Sequence, residues 1–107
     1  MKTQKQRAAL RAKLDRQFQE RVCRIPVCAI CGSRLGVSAH HITRKSRCHG
    51  KIRHLRHAVK NGLPLCIDCH NSVHDGSLDK KAFMQWLRTH RPEQYAWLVK
   101  EGGIVDE

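Results

Sequence analysis

Leu10, Leu14 and Phe18 recur every four residues in a segment otherwise rich in Ala, Gln, Lys and Arg, which predicts an amphipathic helix over residues 4–22 with its apolar stripe docked and its basic face in water. Pro26 is expected to stop that helix and open the turn Cys28-Ala-Ile-Cys31-Gly32, where a glycine suits a tight backbone. Residues 37–42 are short and β-compatible. The stretch TRKSRCHGKIRHLRHAVK has no clean period and reads as a loop with a helical turn near His57. Asn61-Gly62 is a turn signal, and Leu63 to Leu65 reads as a second short strand returning beside the first. A helix is expected from near Cys69 to Gly76, carrying His70 and His74. Asp79 can cap a further helix with Phe83, Trp86 and Leu87 on one face. Pro92 ends it and serves as the first-turn residue of a last helix containing Tyr95, Leu98 and Val99. Aromatic residues at helical spacing are core before they are base-stacking platforms.

The elements describe an α+β chain, organised as one domain over residues 1–107: a basic N-terminal helix (1–24), a central unit (25–76) and C-terminal helices (77–107). A chain of 107 residues buries a modest fraction of its surface, so a bound metal would help it fold. Lys and Arg number 21 against nine Asp and Glu, a formal net charge of +12, which points to a polyanionic partner, nucleic acid first. The charge is concentrated in residues 1–24, where Asp15 and Glu20 are the acids, and in residues 42–60, a stretch with no acid. No apolar run resembles a signal peptide or a membrane span, so the cytoplasm is expected. In a reducing compartment, six cysteines are metal ligands more readily than disulfides.

Cys28, Cys31, Cys66 and Cys69 form two C-x-x-C pairs, the donor set of a tetrahedral zinc site. Four thiolates leave no open position, so that zinc is structural. The separation of the pairs means it clamps remote segments together. A redox C-x-x-C fits poorly because there are two pairs and no βαβ context. Cys23 and Cys48 remain as ordinary thiols. His70 and His74, four apart on a helix, present their imidazoles on one face and can grip one cation. The same clamp brings His40-His41 close to them, and as strand neighbours His40 and His41 face opposite ways and do different jobs. Asp68 and Asp75 flank the site, but on helix ends such carboxylates act on the dipole.

These residues, CAICG, then SAHHI, then NGLPLCIDCHNSVHDG, resemble the HNH or ββα-metal endonucleases, in particular the subset with a four-cysteine zinc knuckle; the likeness covers residues 28–76. The resemblance implies a small ββα-metal core and metal-dependent hydrolysis of phosphodiester bonds in nucleic acid, with double-stranded DNA the expected partner and RNA the open alternative. It implies His40, His70 and His74 as ligands of a catalytic cation, a three-His arrangement similar to the colicin-type nucleases, with His41 as general base and Asn61 orienting that base. Gly62 departs from the family pattern, in which Leu is more usual, and is expected to loosen the turn. The chemistry agrees. A neutral imidazole deprotonates water near its pKa of ~6.5, and a carbonyl from Asn61 would fix its tautomer. Three imidazoles accept Mn²⁺, Ni²⁺ or Zn²⁺, and Mg²⁺ with help from water and phosphate.

Arg44, three residues beyond His41, is placed to contact the scissile phosphate, with Lys45, Arg47, Lys51, Arg53 and Arg56 adding salt-sensitive backbone affinity. No base-reading module is recognisable, so sequence specificity is expected to be low. Two rival readings stand beside the nuclease: a non-catalytic nucleic-acid-binding zinc module, and an adaptor docking through its C-terminal helices. Small domains of this kind look phage- or mobile-element-like, which implies partners in packaging or recombination machinery.

Overall fold

Helix α1 runs over Gln4–Val22 and opens on a capping box in which the Thr3 hydroxyl accepts from the Gln6 amide while the Gln6 side chain accepts from the Thr3 amide. The structure, a computed structural model, describes residues 1–106. Only the C-terminal half of α1 docks. Phe18 is buried and Leu14 half-buried, but Leu10 is 39 % exposed, so the expected apolar stripe is used at one end and the basic N-terminal half stands clear of the body. The helix ends before Pro26, with Cys23 as its C-cap donating to the Gln19 carbonyl at 3.0 Å.

Strands β1 (Ser38–His41) and β2 (Gly62–Leu65) pair antiparallel, with Ser38 opposite Leu65, His40 opposite Leu63 and His41 opposite Gly62. Between them residues 42–61 are more ordered than a loop: three 3-10 segments, Lys45–Arg47, Gly50–His57 and Val59–Asn61, replace the single helical turn expected near His57. Asn61-Gly62 makes no hairpin turn. Gly62 is extended, at φ −113°, and begins β2.

Helix α2 (Ile67–Asp75) starts earlier than its histidines suggest, because the Cys66 sulfur takes the N-cap role and accepts from the Cys69 amide at 3.4 Å. Gly76, in the left-handed region at φ 83°, ends it. Helices α3 (Lys80–His90) and α4 (Pro92–Lys100) follow as expected, although Asp79 occupies the N-cap position of α3 without a side-chain hydrogen bond. The core gathers Leu55, Leu63, Leu65, Phe83, Leu87 and Leu98 with Cys28 and Cys66, so α3 and α4 close over the side of the hairpin that α1 leaves free. Each fully buried leucine contributes about 1.5–3 kcal/mol. Gln94 of α4 donates to the carbonyls of Lys60 and Gly62, at 2.7 and 2.8 Å, and fixes the entry to β2. The described residues are thus mixed α+β, a two-stranded sheet among four α-helices, and among them no helix is long and apolar enough to cross a membrane.

Candidate metal centres and the histidine pocket

The four cysteines converge. Cys28 and Cys31 sit on a turn reversed by Gly32 (φ 78°), and Cys66 and Cys69 lie at the start of α2. One sulfur from each lies within 4.8 Å of the others, Cys31 and Cys66 at 3.6 Å. The Ala29 amide donates to the Pro64 carbonyl at 2.8 Å and so docks the turn on β2. Burial disfavours the Cys28 thiolate, but amide hydrogen bonds, from Cys31 first, bring its pKa down to about 6. Cys69 is raised, by burial and by the neighbouring sulfurs, and Cys31 is raised by Cys66 and Cys28 despite an amide contact from Ser33. The cluster therefore accommodates a first negative charge and resists the next. A bound cation removes that resistance, and tetrathiolate zinc is the species this donor set fits.

On the other side of β1, His40 meets the two histidines of α2. Ring centroids lie 5.2 Å apart for His40 and His70, 5.5 Å for His40 and His74 and 4.7 Å for His70 and His74, with one nitrogen of each within 4.8 Å of the others. Phe83 of α3 backs His40 edge-on at 5.6 Å. His40 is 5 % exposed, and its Nδ1 is buried with no hydrogen-bond partner among the described residues. Burial, with the charges of His70 and His74, pushes its pKa down to about 3, and burial likewise lowers His70. Ser38, two residues before His40 and therefore on its face of the strand, meets His70 Nδ1 through its hydroxyl at 2.9 Å, leaving Nε2 as that ring's second donor. Neutral imidazoles with unused ring nitrogens are what a divalent cation requires. Only the alternation along β1 could have drawn Ser38 out of the sequence.

His41 points the other way, as strand alternation predicts, yet borders the same cavity of about 410 Å³ as His40, His70 and His74. Its Nε2 lies 2.8 Å from the main-chain carbonyl of Arg56. A carbonyl only accepts, so Nε2 carries the proton and Nδ1 keeps the free lone pair. Burial lowers the His41 pKa, favouring the neutral ring. Phe18 stacks on this imidazole at 4.3 Å and 20°.

Asn61 is brought near but does not orient His41 as expected. Its amide is fully buried and fully used: Oδ1 accepts from the Thr43 amide at 2.7 Å, and Nδ2 donates to the carbonyls of Thr43 and Leu55 at 3.0 Å each. Cys48 packs against it, a buried thiol distant from both metal candidates in role. The carbonyl that meets His41 belongs instead to Arg56, whose side chain pairs with Asp15 of α1 at 3.1 and 3.2 Å while His57 reaches the same carboxylate at 2.7 Å. Burial alone would raise Asp15; the hydrogen bonds and charges of Arg56 and His57 reverse that and hold it below the usual carboxylate value. Asp75, the last residue of α2, accepts from the Ser77 amide at 2.8 Å.

Arg44 is exposed at the mouth of the histidine cavity, beside Lys45. It also borders a second groove, of about 870 Å³, whose charged lining residues are Arg44, Arg47, Lys80, Lys81 and Arg88, with no acid among them. No residue pattern marks the start of α3 as sharing a groove with Arg44. Compared with known proteins, the chain matches no family model, and no curated protein or solved structure is significantly similar to it.

Proposed function

We propose that this chain is a metal-dependent endonuclease of the HNH, ββα-metal type that hydrolyses phosphodiester bonds of DNA with low sequence specificity. The observation that carries the reading is the pairing of two unlike histidine sites in one cavity: a cluster of three imidazoles, and a fourth whose Nε2 proton is committed to the Arg56 carbonyl. A zinc site has no use for the second, and a nucleic-acid-binding module has no use for either.

In this reading His41 takes a proton from water through Nδ1, and the Arg56 carbonyl stabilises the imidazolium that results. His40, His70 and His74 hold the catalytic cation, and neutralisation of charge on the phosphate and the departing alkoxide is the chemistry it supplies when bound. Arg44 and Lys45 at the cavity mouth face the phosphate, and the acid-free groove beyond Arg44 continues the path of the strand toward Lys80 and Lys81. The four cysteines hold zinc, fixing the start of α2 and with it the spacing of His70 and His74 from β1.

The test is nicking of supercoiled plasmid with Mg²⁺, Mn²⁺, Ni²⁺ or EDTA, wild type against His41→Ala. Metal-dependent nicking that falls by roughly 10²- to 10⁴-fold in the variant, with DNA binding retained, supports the assignment. Cleavage indifferent to His41, or none by the wild type with any of these metals, removes it and leaves a basic zinc-binding fold.

A further inference from the structure

We infer that helix α1 is the positioning element of His41, acting through Phe18, which sits on Gly62 and stacks on the imidazole, and through Asp15, which anchors the residue whose carbonyl holds Nε2. The inference rests on the reading of His41 as the general base. Three side chains of one helix bear on that ring, Phe18 by direct contact and Asp15 and Gln19 through the segments that flank it. His41 and Gly62 are cross-strand partners, and the face of β2 at Gly62 is where α1 lands. A Cβ at position 62 would overlap Val22 Cγ2 and lie 2.8 Å from Phe18 Cζ, so a larger residue there forces those side chains of α1 to shift. With glycine in place, the Phe18 ring reaches across to the imidazole at 4.3 Å and covers one of its faces.

One turn earlier, Asp15 accepts from both Nε and Nη2 of Arg56 and from His57, which fixes the end of the 3-10 segment that offers the Arg56 carbonyl. One residue later, Gln19 Oε1 accepts from the Ala39 amide at 2.9 Å and holds β1 itself. The ring plane is thus set by Phe18, its rotation by the Arg56 carbonyl, and its strand by Gln19. The glycine that departs from the family pattern has a cause: it makes room for a helix that serves the base. Phe18 and Asp15 are positioning residues. Neither is assigned a contact with substrate.

The experiment uses the full chain loaded with zinc and compares wild type, Phe18→Leu, Asp15→Asn and Gly62→Ala by two independent readouts. The first is the ¹H–¹⁵N signal of the His41 Nε2 proton, which a hydrogen bond to Arg56 protects from exchange. The second is the split of plasmid nicking into kcat and KM. Phe18→Leu fills the same apolar site without a stacking face, and Asp15→Asn changes a partly exposed charge, so both variants are expected to fold. The expected result is loss or averaging of the Nε2 signal and a kcat lower by roughly 10- to 100-fold, with KM and metal stoichiometry unchanged. Retention of both the signal and kcat in Phe18→Leu and Asp15→Asn overturns the inference. A wild type that cleaves nothing overturns the nuclease reading instead, while the Nε2 signal still decides whether α1 positions His41.

Discussion

Asn61 and Thr43 exchange two hydrogen bonds across the base of the basic segment, the Thr43 amide donating to Oδ1 at 2.7 Å and Nδ2 returning to the Thr43 carbonyl at 3.0 Å. With the third bond to Leu55, one side chain ties together both ends of the stretch that carries Arg44 and the Arg56 carbonyl. Asn61 therefore fixes the path of the backbone beside the Arg56 carbonyl that meets His41 Nε2.

Replacing Asn61 tests this directly. Asn61→Ala strands a buried amide and two buried carbonyls, each worth about 1–3 kcal/mol, and is expected to destabilise the fold by about 3 kcal/mol or more. Asn61→Asp keeps the acceptor for Thr43 but sets a buried carboxylate oxygen against the carbonyls of Thr43 and Leu55 in place of two donors. It should therefore be at least as damaging at neutral pH. Chemical denaturation of the zinc-loaded variants measures both, and an Asn61→Asp protein as stable as wild type would show the amide bonds to be dispensable.

Zinc removal should cost more than any single substitution. The core is small and includes Cys28 and Cys66, so release of the ion leaves four crowded sulfurs against it, of which Cys28 is already biased toward thiolate. A strong thiol-competitive chelator, or Cys66→Ser, is expected to lower Tm by well over 10 °C, at about 4–8 °C per kcal/mol for a domain of this size. Cys23→Ser should leave Tm within a degree or two, since Cys23 lies outside the four-cysteine cluster and its sulfur accepts a hydrogen bond from the Gln19 side chain. Equal effects at Cys23 and Cys66 would contradict the four-cysteine site.

Gly103 offers a test of packing at residues outside both metal candidates. It is buried, its carbonyl accepts from the Thr43 hydroxyl at 2.9 Å, and a Cβ there would lie 2.7 Å from Thr43 Oγ1 and 2.8 Å from Leu55 Cδ1. Gly103→Ala is expected to cost about 1–3 kcal/mol by overpacking, measured by thermal unfolding. Because Thr43 and Leu55 are the partners of Asn61, the loss should be less than additive with Asn61→Ala, and strict additivity would separate the tail from the loop.

Much of this arrangement is legible in the sequence because it rests on spacing. Two C-x-x-C pairs, an i, i+4 histidine pair and adjacent histidines on a strand each fix relative positions through local geometry alone, and the clamp brings them together. The contacts that orient His41 are a different kind of fact. A main-chain carbonyl has no residue signature, so nothing marks Arg56 as the acceptor. The stacking of Phe18 depends on where α1 docks, and an apolar stripe of Leu10, Leu14 and Phe18 cannot say that its first member stays exposed and only its last is fully buried. The 3-10 segments are invisible for a similar reason: residues 42–61 are held by the Asn61 side chain and by Leu55 in the core, not by any periodicity of their own. Gly62 misleads outright, since Asn-Gly signals a turn locally, whereas the chain needs a missing side chain beneath a helix.

Salt dependence separates the two cationic surfaces from the chemistry. If the strand runs from Arg44 along the groove lined by Arg47, Lys80, Lys81 and Arg88, each phosphate contact contributes about 0.9 to the slope of log K against log salt on duplex DNA. The double variant Lys80→Ala, Lys81→Ala is then expected to lower that slope by about 1 to 2 and to weaken binding without regard to sequence, while His41→Ala leaves it unchanged. Arg44 borders the histidine cavity as well as the groove, so Arg44→Ala should lower the slope by about 1 and also reduce cleavage at saturating DNA. Fluorescence anisotropy with a labelled duplex over a range of KCl concentrations gives the slopes. A slope insensitive to Lys80 and Lys81 but reduced by removing Lys5, Arg7 and Arg11 would move the DNA to the exposed half of α1 and away from the groove.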